Sequence, residues 1–161
     1  ALLSSRDREG KLRILKDSNV GAFSVISVCL LLLSLYVSLK NLALAGVSPY
    51  SFLLLPMLSR GAGAFVLFAF RPLSNTGILK YFRDGDRPVH KFAVLAASCG
   101  AIFCLGLLGA AYLIAAGIGL AVMFCAALLA RKALGGVNGD IIGACIVLLE
   151  AAGYLALAAA L

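Results

Sequence analysis

From Phe92 to Ala130 the chain carries no charged side chain. About 20 helical residues cross the ~30 Å hydrocarbon core of a bilayer, so this run is too long for one crossing and has to fold back on itself. Gly106, Gly109, Gly117 and Gly119 are the candidates for that reversal, which is expected near Gly109–Tyr112. Shorter apolar runs stand on either side. Together they give five expected spans: 20–39, 51–70, 92–109, 112–130 and 141–161. The runs are continuously apolar instead of alternating, which selects helices over a barrel. The expected fold is all-α, a polytopic integral membrane helical bundle forming a single membrane domain over 1–161.

Composition excludes the soluble alternative. The chain is 63% hydrophobic and 13% charged, whereas soluble domains carry about a quarter charged residues. The net charge of +7 is concentrated at the ends of the runs, in segments 1–19, 71–91 and 131–140. Alternating crossings put these three segments on one side. The loops at 40–48 and near Gly109 hold a single charge, Lys40, and fall on the other. By the positive-inside rule the basic side is cytoplasmic, the C-terminus is outside, and the expected location is the cell inner membrane. Such a charge pattern suits anionic head groups and not a nucleic-acid groove. Cys29, Cys99, Cys104, Cys125 and Cys145 all lie in apolar runs without a C-x-x-C spacing, and His90 is the single histidine. They read as small packing residues, not as a zinc site or a disulfide framework.

Segment 1–19 is charged and helix-like, with Asp7/Lys11, Glu9/Arg13 and Arg13/Asp17 four residues apart. It opens on Ala1 and is already helix-like there, so it reads as the continuation of something upstream. Leu12, Ile14 and Leu15 give it a partial apolar face for an interfacial position. It ends in Lys16, Asp17 and Ser18, which can hold a phosphate at the boundary or simply cap a helix. In the first span Ser24, Ser27, Ser34 and Ser38 recur on one face, the pattern of close helix packing. The second span contains Pro56, which favours a kink, and Arg60 near its middle. An intramembrane charge costs roughly 3 kcal/mol or more, so Arg60 should face a partner or a wet cavity. In 71–91, Asp84-Gly85-Asp86 reads as a turn before Pro88 more readily than as a metal pair. In the last span, Asp140, Gly143, Val147, Glu150 and Tyr154 share a helical face. Glu150 is at a depth that would let it pair with Arg60.

The break at Arg131–Asp140 concentrates the chemistry. Arg131 and Lys132 supply charge, and Gly135, Gly136 and Gly139 free the backbone to bare its amides beside Asn138. Asp140 falls at or near the start of the next helix, where anions and carboxylates are favoured. Lysine, arginine, amides and a carboxylate at a membrane surface suit a phosphate or a metal–phosphate. A tight turn with an Asp N-cap and topology-setting cations is the plain alternative.

LGGVNGD followed by Ile141-Ile142-Gly143-Ala144, with Glu150 seven residues after Gly143, resembles the C-terminal signature of the cobalamin (5′-phosphate) synthase family, the adenosylcobinamide-GDP ribazoletransferases. SSRDREGKLRILKDSNVGAF resembles the family's charged segment, and Leu58-Ser59-Arg60 falls where the family has an arginine. The resemblance implies a Mg²⁺-dependent membrane transferase. It would join α-ribazole, or α-ribazole 5′-phosphate, to adenosylcobinamide-GDP and release GMP. It implies phosphate contacts from Lys16, Ser18, Arg60, Gly135, Gly136, Asn138 and Gly139, steering by Arg131 and Lys132, and metal or catalytic roles for Asp17 and Asp140. The family also carries an aspartate-rich motif upstream of the charged segment. The main Mg²⁺ ligands are therefore expected upstream of Ala1, and part of the family domain is expected to lie outside this chain. Val147 stands where an acid is expected, and Asn19 where the family often has arginine. A transport or assembly subunit without catalysis is the competing reading, with Arg60 and Glu150 as a pathway pair. No internal repeat between the first and last spans supports it. A homo-oligomer remains open.

Overall fold

The computed structural model describes residues 7–17, 19, 21–73 and 88–160. Among these there are six helices: α1 Arg8–Lys16, α2 Ala22–Leu44, α3 Ser51–Ala69, α4 Pro88–Leu108, α5 Ala110–Leu134 and α6 Gly139–Ala159. The last five are long and apolar enough to cross a membrane. The molecule is a polytopic helical bundle. The segment expected to contain the Asp84–Asp86 turn lies outside the described residues, as does the start of segment 1–19 at Ala1.

Boundaries follow local chemistry. Asp7 caps α1 by accepting from the Gly10 amide at 3.0 Å, and its acidic and basic residues at four-residue spacing support the helix. Leu12 and Leu15 pack against the core, so α1 lies on the bundle. The reversal inside the long apolar run is a single residue. Gly109 takes φ +134°, a conformation L side chains rarely adopt, and α5 begins at Ala110. Tyr112, placed in the expected turn, is already helical. Its hydroxyl accepts from the Ser48 amide at 3.3 Å, tying the two weakly charged loops together at one end of the bundle. α3 continues through Pro56 without a break in helical structure. α5 also runs four residues past its apolar stretch, because Ala133, Leu134, Arg131 and Lys132 are all good helix formers.

Helix α6 is the axis of the bundle, in contact with α2, α3 and α5. The core holds Leu55, Leu58, Val66, Met123, Leu149 and Leu157, each almost fully buried. Close helix approach depends on small residues. A Cβ at Gly119 would stand 2.7 Å from the Leu149 carbonyl oxygen, so α5 and α6 meet backbone to backbone there. The serine stripe of α2 packs only in part. Ser38 is buried beside Leu42, whereas Ser24 and Ser27 are exposed. The hydroxyls of Ser27, Ser34 and Ser38 donate to carbonyls of their own helix at 2.7, 2.8 and 2.7 Å, so they need no partner helix.

Gly119→Ala is expected to lower unfolding stability by about 1–3 kcal/mol through overpacking. Gly117→Ala, two residues away with open space around it, should leave stability unchanged or slightly raised. Thermal unfolding of the two variants in detergent checks the pair.

Candidate functional site

The polar break after Ala130 becomes a compact joint between two helices. Gly135 is the C-cap of α5 in the left-handed region, φ +86°, and its amide donates to the Arg131 carbonyl at 2.8 Å. The C-terminal carbonyls of α5 attract cations. Arg8 answers this by donating from Nε to the Leu134 carbonyl at 2.8 Å. A side chain on Gly135 would run into that guanidinium. Gly136 is needed for a different reason. Its Cβ would lie 2.6 Å from the Arg71 carbonyl oxygen, where the chain leaving α3 crosses the joint. Val137 donates to that carbonyl at 2.9 Å, and its own carbonyl accepts from the Leu73 amide at 2.9 Å. Pro72 and Val137 thus form an isolated parallel bridge.

Three segments far apart in sequence therefore meet at one end of the bundle: the start of α1, the exit of α3 and the α5–α6 joint. These are the three basic segments that crossing parity assigns to a common side. Arg131 lies over the Phe70 ring at 5.4 Å, a cation–π contact that holds its charge at this surface. Lys132 and Asp140 are exposed nearby in sequence.

Asn138, not Asp140, caps α6. Its Oδ1 accepts from the Ile141 amide at 3.0 Å, and its Nδ2 donates to Asp140 Oδ2 at 3.1 Å. Asp140 is the second residue of the helix, where a carboxylate interacts favourably with the helix N-terminus. The amides of Gly136, Asn138, Gly139 and Asp140 have no acceptor among the described residues. Those of Gly135 and Val137 are bonded within the protein. Of the open donors, Gly136 is buried under the crossing chain, whereas Gly139 and Asp140 are exposed.

Asp17 accepts from the amide and side chain of Asn19, at 2.9 and 3.1 Å, and is exposed. No described contact joins it to Asp140. The Lys16 side chain and Ser18 lie outside the described residues. So does Ala1. Among the described residues no three acidic, histidine or cysteine side chains group as a metal shell. Mg²⁺ commonly takes one or two protein carboxylates and completes its shell with phosphate and water. The exposed Asp140 carboxylate beside open amides fits one such position.

Arg60 and Glu150 form an ion pair in mid-span. The Ser59 hydroxyl lies 2.6 Å from Glu150 Oε1 and 2.9 Å from the Pro56 carbonyl, and Arg60 Nη1 donates to Ser59 Oγ at 3.1 Å and to Pro56 at 3.0 Å. Arg60 is about 14 Å along the axis from the end of α3, at ~1.5 Å per residue. It belongs to this mid-span cluster and is set apart from the glycine joint. Its side chain is 63% exposed from the bundle and that of Glu150 19%. Arg8, Phe70 and Ser59 are the participants that sequence reasoning did not single out. Arg8 is one of several equivalent cations in its segment, and only the fold distinguishes it.

Five apolar spans and a polar joint that gathers distant basic segments at one end define a multi-pass membrane protein. The chain belongs to the cobalamin-5-phosphate synthase family, whose sequence profile matches residues 1–158. It is 39% identical over 159 residues to the adenosylcobinamide-GDP ribazoletransferase of Clostridium perfringens strain 13, covering 98% of this chain and 63% of that protein. Identity to the protein of the same name from Clostridium botulinum strain Alaska E43 is 36% over 161 residues, covering 95% of this chain and 61% of the relative. A third, from Chlorobium phaeobacteroides strain BS1, is 38% identical over 146 residues, covering 86% and 56%. The chain thus spans less than two thirds of the length of these relatives. No solved structure matches it.

Arg60→Met and Glu150→Gln should each destabilise the bundle, because each leaves a polar partner unpaired within the membrane. The double variant should cost less than the sum of the singles, with a coupling of about 1 kcal/mol or more. Unfolding in detergent of the four proteins of this cycle reads the coupling, and strict additivity would remove the pair from the account.

Proposed function

We propose that this chain supplies the glycine-joint face of a membrane transferase that joins α-ribazole, or its 5′-phosphate, to adenosylcobinamide-GDP and releases GMP. The product would be adenosylcobalamin or its 5′-phosphate. The observation that carries this reading is the meeting of three basic segments around Gly135–Asp140, in a chain whose family match runs nearly end to end. Family membership favours this over a transport or assembly role.

The reaction is a displacement at phosphorus. A ribose hydroxyl of the ribazole attacks the phosphorus on the cobinamide side of the diphosphate, the P–O bond to GMP breaks, and the hydroxyl proton leaves to solvent or a base. Such chemistry depends on alignment and on neutralising charge more than on covalent help. The open amides of Asn138, Gly139 and Asp140 are suited as donors for a diphosphate oxygen. Arg131 and Lys132, with Lys16 and Ser18 from the first segment, would draw in and hold the anionic substrates. Asp140, and with it Asp17, would hold Mg²⁺, which when bound neutralises diphosphate charge; further ligands would come from upstream of Ala1. The positive-inside pattern supports a cytoplasmic orientation of this face in the inner membrane.

Asp140→Asn, made in the protein as encoded, should lower turnover by about 10²-fold or more, the scale for losing a group that acts on transition-state charge. GMP release from adenosylcobinamide-GDP, with and without Mg²⁺, is the measurement. Wild-type turnover in the variant would remove Asp140 from the mechanism.

A further inference from the structure

A cavity of about 510 Å³ opens between α3 and α4, with α5 as its floor. Its walls include Phe65, Phe68, Ile102 and Phe124, with Lys91 at one end and Ser98 partway down. No residue of the glycine joint lines it. We propose that this groove is a binding site for one anionic phospholipid, with an acyl chain along the aromatic wall and the phosphate at Lys91.

Three observations converge on that occupant. The first is length. From Lys91 to Ile102 the groove follows eleven residues of α4, about 16 Å at ~1.5 Å per residue. This matches one leaflet, roughly half of the ~30 Å hydrocarbon core. The second is polarity. Among the described residues of the lining, Ser98 is the one hydroxyl, and its proton is bonded to the Val94 carbonyl at 2.8 Å. Below Lys91 the described walls therefore offer no side-chain donor to a polar ligand such as a nucleoside, whereas an alkyl chain needs none. The third is charge. Lys91 lies over the Phe68 ring with its Nζ 5.4 Å from the centroid, so its ammonium is held at the groove mouth. Lys91, the last residue of segment 71–91, is in the first turn of α4, and Phe68 beneath it is in the last turn of α3. Its end of the bundle is therefore the end where Arg71 meets the α5–α6 joint. Basic pockets between transmembrane helices at such a surface select anionic head groups.

The chain has no tryptophan, so one introduced indole is an unambiguous reporter. Phe124→Trp places it in the groove. Phe103→Trp, at a position on α4 that is 68% exposed and outside the lining, places one against bulk lipid. Each variant is reconstituted in phosphatidylcholine vesicles containing a fixed fraction of chain-brominated phosphatidylglycerol or chain-brominated phosphatidylcholine. Quenching at position 124 should favour the anionic lipid about fivefold, the equivalent of one lysine at a charged surface. Position 103 should show no such preference, and Lys91→Gln should remove it at 124. Equal preference at both positions, or a preference that survives Lys91→Gln, would overturn the proposal. So would relief of quenching at 124 by soluble α-ribazole 5′-phosphate, which would assign the groove to substrate. Should Phe124→Trp fail to fold, Phe65→Trp reports on the same wall.

Discussion

Two backbone hydrogen bonds at Val137 hold the polar end of this molecule together. One runs to the Arg71 carbonyl and the other comes from the Leu73 amide. They fasten the chain leaving α3 to the connection between α5 and α6. The bonding is possible because Gly136 has no side chain to keep the two backbones apart. Gly135, one residue earlier, ends α5 and leaves room for Arg8 from the first helix. Neighbouring glycines thus admit two different segments, one on each side of the joint. The cations, the open amides of α6 and the Asp140 carboxylate owe their common location to this arrangement.

A second polar constraint operates in mid-membrane. Burying charge in hydrocarbon is costly, and Arg60, Ser59 and Glu150 reduce that cost by satisfying one another across α3 and α6. Pro56 contributes through its carbonyl, which accepts from both Ser59 and Arg60. The proline therefore sits within the polar cluster as well as within the helix. α3 and α6 also approach through glycines, Gly63 against Ile146 and Gly153 against Leu55, and the polar contact gives that packing a specific register. Stability and site geometry are linked here, since α3 and α6 are the helices whose ends carry the Arg71 and Asp140 sides of the joint.

Much of this was legible in the residues. The uncharged run from Phe92 to Ala130 forced a reversal, and the distribution of basic residues sorted the connections into two groups before any helix was placed. Depth along two spans was enough to suggest the Arg60–Glu150 pair. What sequence could not supply was which atoms do what within a polar stretch. The glycines of the joint read alike as amide donors. In three dimensions Gly135 and Gly136 are explained by close packing, and the exposed amides without an acceptor among the described residues are those of Gly139 and Asp140 at the start of α6. The cap of α6 is Asn138, because its side chain reaches the Ile141 amide while Asp140 is already helical. Nor did the sequence distinguish Arg8 from the other cations of its segment, since its role depends on where α5 ends. The serine pattern of α2 suggested a packed face along its length, but the hydroxyls of Ser27, Ser34 and Ser38 bond within their own helix and only the Ser38 end is buried.

The account depends on three distant polar segments sharing one surface of the bilayer. Single cysteines at Asp7, Arg71 and Asp140, and at Ala45 and Ala110 for the opposite loops, can be introduced into a background with the five native cysteines replaced. A membrane-impermeant maleimide applied to sealed vesicles of one orientation then reads the side of each. The first three positions are expected to react together from one face and the last two from the other. If Arg71 or Asp7 reacts from the face opposite Asp140, the three segments have no common surface and the site described here does not exist.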